Sequence, residues 1–275
     1  MTLSTIRNNP AKQKKVKTKK QKAIAATCAV AFWLLVWHVV SLCVGSELVL
    51  VSPVKVVQTL FTVIFDPDFL KTVWYSAARI LGGFFTALTL GTVLGWVASR
   101  FWVVETLLRP ITAVIKATPV ASFIILVLLW FSGKNLSVII SMLMVFPVIY
   151  MNVLEGIRSA DEKLLEMAQV FRLSVGKKRL YISLPAVAPF FVSACSVSLG
   201  LCWKSGIAAE VIGTPDGSIG AVFYQAKIFL QTSELLAWTV VVVAVSVAFE
   251  KLFMFLLRLI LKKLKMEDVL NGKRA

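Results

Sequence analysis

Histidine is nearly missing from this chain: His38 is the only one in 275 residues. Without a second imidazole, no zinc or di-metal ligand set can be assembled from the usual donors. No serine, histidine and acid triad can be drawn without His38, which sits beside Trp37 in an apolar stretch with no evident acidic partner. Cysteine is sparse too. Cys28, Cys43, Cys195 and Cys202 all lie in or beside apolar stretches and form no Cys-x-x-Cys pair, so they read as small buried hydrophobes. There is no Gly-x4-Gly-Lys-Ser/Thr phosphate loop, and the chain is not expected to hydrolyse ATP itself. Acidic residues number 14 against 30 basic ones, and few lie inside apolar stretches, which leaves little material for a proton relay.

What the chain has in abundance is apolar sequence: 58% of its residues are hydrophobic. Charge-free runs at 23–46, 80–99, 135–154 and 180–203 each approach the roughly 20 residues that cross a bilayer as a helix. Two shorter runs, 117–133 and 235–249, have apolar flanks. The runs are continuously apolar rather than alternating, which selects helices over a barrel. The expected fold is therefore all-α, a polytopic membrane protein of about six transmembrane helices. Its divisions are a basic tail at 1–22, a transmembrane domain at 23–260 and a basic tail at 261–275. The first run is too long for a signal-peptide core and no Ala-x-Ala site follows it, so it is kept as a membrane helix.

The net charge of +16 invites a nucleic-acid reading, but its placement argues against one. Arg7 and seven lysines fall within 1–22 with no acid among them, and seven more basic residues fall within 250–275. Cationic ends beside apolar helices mark the cytoplasmic side and attract anionic lipid. With both termini inside, spans at 23–44, 72–98, 111–131, 136–157, 183–205 and 234–260 put every lysine- and arginine-rich loop inside as well. The first outer loop carries Ser52-Pro53 and then Val54, Val57, Leu60, Phe61 and Ile64, the spacing of a short helix on the outer membrane face.

Several features inside the spans invite a role. Gly83, Ala87, Gly91 and Gly95 recur at four-residue steps and form a face that another helix can approach closely, within the subunit or as a dimer seam. Arg79, Lys116 and Lys204 are charges near span ends, and such charges either snorkel or mark a solute path. Trp203, Lys204, Ser205 and Glu210 fall close together at the expected end of the fifth span. With Arg79 they are candidates for a translocation path, or for an internal ion pair. Pro119 and Pro147 are positioned to bend the third and fourth spans.

The inner loop between the fourth and fifth spans is the most informative segment. Leu164, Met167, Ala168 and Phe171 fall on one face of a short amphipathic helix, with Asp161, Glu162, Lys163, Glu166 and Gln169 on the rest. Such a helix either rests on the membrane surface or docks in the groove of a soluble partner. The loop resembles the EAA loop of permease subunits of binding-protein-dependent ATP-binding cassette importers: Glu-Ala-Ala, three residues, Gly, nine residues, Ile-x-Leu-Pro. Glu166, Met167 and Ala168 occupy the triplet, and Ile182, Leu184 and Pro185 close the motif in register. Met167 replaces an alanine and Arg172 the glycine, with Gly176 four residues later. Ser52-Pro53, Ala78-Arg79, Gly83-Phe84, Arg109-Pro110, Thr118-Pro119 and Trp203-Lys204-Ser205 extend the likeness to the nitrate, sulfonate and taurine type.

The resemblance implies a non-catalytic transmembrane subunit in a bacterial inner membrane, carrying a small polar or anionic solute and needing no cofactor. Its implied partners are cytoplasmic ATPase subunits, an extracytoplasmic solute-binding protein and a second permease, for which a second copy of this chain is the favoured occupant. Leu164, Met167, Ala168 and Phe171 would fill the ATPase groove, Glu166 would pair with the groove rim or brace the loop, and Ile182 to Pro185 would pass motion to the fifth span. The alternative is a channel or secondary carrier that works without an ATPase.

Overall fold

The computed structural model describes residues 19–263, and most of both basic tails lies outside them. Every regular element among the described residues is helical. The chain divides into two units, residues 1–55 and 56–275. In the first, α1 spans Lys19–Val44. Ser41 Oγ donates to Leu50 O at 3.0 Å and ties the end of α1 to the turn that follows.

The second unit holds most of the fold. The short helix expected from the Val54 to Ile64 pattern forms as α2, Pro53–Ile64, which begins at the boundary between the units. It is followed by α3, Phe69–Arg100, then α4, Trp102–Ala117, and α5, Val120–Trp130. Next come α6, Gly133–Arg158, and the short α7, Glu162–Val170. α8, Val175–Lys178, leads through a π-helical turn at Arg179–Ser183 into α9, Leu184–Gly213. α10, Ile219–Ile228, and α11, Thr232–Lys263, complete the chain. Five helical stretches are long and apolar enough to cross a membrane, and a bent pair brings the number to six.

That pair corrects the third span. Instead of one helix over 111–131, α4 and α5 meet at 110°. Pro119 has no N–H to continue the ladder, and its ring excludes the helical conformation at the preceding residue. Thr118 is accordingly extended, with φ −82° and ψ 132°. Pro147, by contrast, lies within the unbroken α6.

In lipid, apolar burial alone does not hold helices together, so close packing and hydrogen bonds carry more of the task. The core is the α3, α6 and α9 group, where Ile80, Phe84, Val145, Ile149, Cys195 and Leu199 are buried together. The glycine face of α3 serves this packing. A Cβ on Gly83 would run into Val138 O, one on Gly91 would lie 2.9 Å from Ile149 Cβ, and one on Gly95 would lie 2.9 Å from Val153 Cγ1. Ala87 is fully buried in the same row. The seam considered for a dimer is thus occupied by α6 of the same subunit. α11 joins through Phe253, whose ring meets Phe84 edge-on at 5.3 Å between centroids.

Candidate functional site

α7 is the amphipathic helix expected in the inner loop. Asp161 caps it, its carboxylate accepting from Lys163 N at 2.9 Å. The apolar row divides in two. Ala168 is 2% exposed, whereas Leu164, Met167 and Phe171 remain 44%, 48% and 71% exposed. Glu166 is exposed beside them. A row of apolar side chains left uncovered on a charged helix is the kind of surface that interaction sites present.

The helix ends at the motif's glycine position. Arg172 has φ 49°, in the left-handed region. Its N–H donates to Gln169 O and Leu173 N–H donates to Ala168 O, both at 2.9 Å. These two bonds define a Schellman ending, which ordinarily places glycine where Arg172 stands. The turn geometry therefore survives the substitution, at the cost of a strained arginine backbone.

The fifth span does not begin at 183, just before Pro185, as expected. Helical backbone already starts at Val175 with the exposed Gly176 and passes through the π turn. Leu184 N–H reaches back five residues to Arg179 O. Pro185 donates nothing to the carbonyls behind it, and the wider π turn accommodates its ring. Ile182 is buried, and Leu184 and Pro185 are half-buried. At the inner end of α6, Arg158 Nη2 pairs with Glu105 Oε2 of α4 at 2.5 Å.

The second candidate group is rearranged relative to expectation. α9 runs on to Gly213, so Trp203, Lys204 and Ser205 lie well inside the helix rather than at its end. Trp203, Ser205 and Glu210 are buried at 2%, 2% and 0% exposure, so in this conformation they do not line an open path. Lys204 is exposed, and no ion pair joins it to Glu210 among the described residues. A step of six residues along a helix turns through about 600°, which sets the two side chains well apart around the axis. Arg79 is half-buried and lies over the Tyr75 ring at 4.4 Å.

Glu210 instead belongs to a network that the sequence did not disclose. Ser76 Oγ of α3 donates to Glu210 Oε2 at 2.6 Å, and Gly220 N–H donates to the same oxygen at 3.3 Å. Ser76 Oγ in turn accepts from Ile219 N at 2.9 Å. The carboxyl group and the serine together satisfy the first free N–H groups of α10. Gly220 is required there, because a Cβ would run into Glu210. Ser76 carries no periodic signal that would have marked it. Only its position three residues before Arg79 places it near the candidate group.

Comparison with known proteins supplies the family. Residues 87–266, more than half the chain, match the model of the binding-protein-dependent transport system inner membrane component. SsuC of Bacillus subtilis, provisionally named as an aliphatic sulfonates transport permease, is 29% identical over 232 residues, covering 83% of each chain. The taurine transport system permease protein TauC of Escherichia coli is 26% identical over 220 residues, 78% of this chain and 80% of TauC. The nitrate import permease protein NrtB of Synechocystis is 25% identical over 214 residues, 74% of this chain and 76% of NrtB. With the inner-loop motif and the membrane helices already in place, the match over 87–266 makes this chain a member of the binding-protein-dependent transport system inner membrane component family, the permease subunit of an ATP-binding cassette importer.

Proposed function

We propose that this permease imports a small oxyanion or polar solute of the sulfonate, taurine or nitrate kind, driven through α7 by a separate cytoplasmic ATPase. The solute class rests on the names of the three relatives. The single observation that carries the coupling role is the uncovered row of Leu164, Met167 and Phe171 beside Glu166. That row offers apolar area for a groove and a charge to fix register. Ala168, buried beneath it, would anchor the helix to the rest of the subunit, and the left-handed Arg172 would set the turn before Gly176. Ile182, Leu184 and Pro185 would carry displacement into α9.

ATP hydrolysis is assigned to the partner, and both termini of the permease are placed in the cytoplasm on the positive-inside pattern. An external binding protein delivers the solute. The second permease position is assigned to another copy of this chain, with an interface other than Gly83, Ala87, Gly91 and Gly95. For the translocation path, Arg79 and Lys204 keep accessible charged groups, while Trp203, Ser205 and Glu210 support the path from behind. Lipid covers the remaining apolar surface.

Affinity purification from native membranes in mild detergent tests the assembly, with an ATPase expected at one copy per permease. Glu166→Ala and Phe171→Ser are expected to leave the subunit inserted while separating ATP hydrolysis from uptake. An ATPase-free oligomer that conducts solute in liposomes would instead establish a channel or carrier.

A further inference from the structure

An open-sided cavity of about 400 Å³ lies among α4, α6 and α9, its lining including Lys116, Pro147, Met151, Asn152, Glu155 and Phe190. Three of these residues are polar or charged, an unusual content for a membrane interior. Lys116 stands in the last turn of α4, just before the Thr118-Pro119 break. Its Nζ lies 3.4 Å from Met151 Sδ and makes no ion pair among the described residues. Met151 is seven residues before Arg158, the last residue of α6, about 10 Å along the helix from that end at 1.5 Å per residue. The ammonium group rests against the Met151 sulfur rather than on a carboxylate.

Lipid is a poor neighbour for this face. Lys116 and Glu155 are exposed, Asn152 is partly so, and a charged group facing hydrocarbon is strongly disfavoured. Ionisable groups at membrane depth face protein or water-filled space. The broken span adds a second argument, because discontinuous membrane helices are where transport proteins build solute sites. The cavity is close in size to a compact organic anion and its first waters. Glu155 lies one helical turn inward of Met151 and Asn152, so it repels a second negative charge at the inner end of the cavity. An ammonium at the far end of the solute would be accepted there.

We propose that this cavity is a stage of the solute path and that Lys116 holds the oxyanion group of a small sulfonate-like solute within it. The proposal rests on the importer reading and adds to it a site, a charge and an orientation. The oxyanion faces Lys116, the body of the solute lies along Phe190 and Pro147, and any ammonium faces Glu155.

The test uses the full chain in membrane vesicles with its ATPase. Cys28 and Cys43, exposed rather than buried as expected, are changed to serine, and the buried Cys195 and Cys202 are kept. Met151→Cys places a thiol beside Lys116, and Asn152→Cys provides a second reporter should the first fail to insert. Right-side-out and inside-out vesicles are treated with sulfonatoethyl methanethiosulfonate, an anion, or trimethylammonioethyl methanethiosulfonate, a cation. Relative to each reagent's rate with a free thiol in solution, the anionic reagent is expected to be favoured by about 5- to 10-fold, as a cation a few ångströms from the thiol dictates. Lys116→Gln should abolish that preference and Lys116→Arg should keep it. No labelling by either reagent in either orientation overturns the proposal, since the face is then packed or covered by lipid. A preference unchanged in Lys116→Gln overturns it as well. Charge-selective labelling in a complex that carries no ATPase would uphold the site while rejecting the importer reading.

Discussion

Ser76 donates its hydroxyl proton to Glu210 across 2.6 Å, joining α3 to α9. The same hydroxyl accepts from Ile219 N–H, so the start of α10 depends on the pair. Glu210→Ala should lower stability by about 1–2 kcal/mol, the upper range for hydrogen bonds between membrane helices. Glu210→Gln should retain most of it, since an amide oxygen can still accept. Thermal unfolding of the purified complex in detergent compares the three proteins.

Gly220→Ala should be more damaging than its single methyl suggests. The added carbon runs into Glu210 and the backbone around Val211. Overpacking of this kind costs about 1–3 kcal/mol. Hydrogen exchange should show the 219–228 segment opening first.

Arg172→Gly should stabilise the inner loop. The left-handed conformation at φ 49° costs an L-residue about 1–2 kcal/mol and glycine almost nothing. Slower hydrogen exchange across 166–173 is expected, with uptake unchanged or improved. A loop loosened by the replacement would mean that the arginine side chain holds the turn.

Gly91→Leu should separate α3 from α6, because even a Cβ at that position lies 2.9 Å from Ile149 Cβ. The expected result is poor insertion or loss of the folded subunit, whatever the assembly state. A folded Gly91→Leu protein that had merely become monomeric would return the glycine face to a subunit interface.

The membrane class, the approximate spans, the short helix after Pro53 and the amphipathic helix between the fourth and fifth spans were legible because each follows from local pattern. Continuous apolar runs are long enough to count, and Leu164, Met167 and Phe171 repeat at helical spacing. The α4–α5 break was only half legible. Pro119 marks a weak point, but an angle of 110° is set by what each half packs against, Ile115 and Ile124 meeting Leu136, Ile140 and Met144 in one cluster. The extent of α9 was misjudged, because Lys204 reads as a boundary signal and is in fact an exposed charge on a continuing helix. Ser76 and Gly220 were invisible. Their importance comes from meeting Glu210 across more than a hundred residues in one case and across a turn in the other.

The glycine face of α3 has a mechanical consequence. Gly83 and Gly95 are twelve residues apart, about 18 Å along the helix, and neither they nor Gly91 between them leaves room for one more carbon against α6. Helices meshed that tightly over such a length can neither slide nor roll against each other without collision. They form a single stiff lever, and a displacement at one end would reach the other with little lost to internal give.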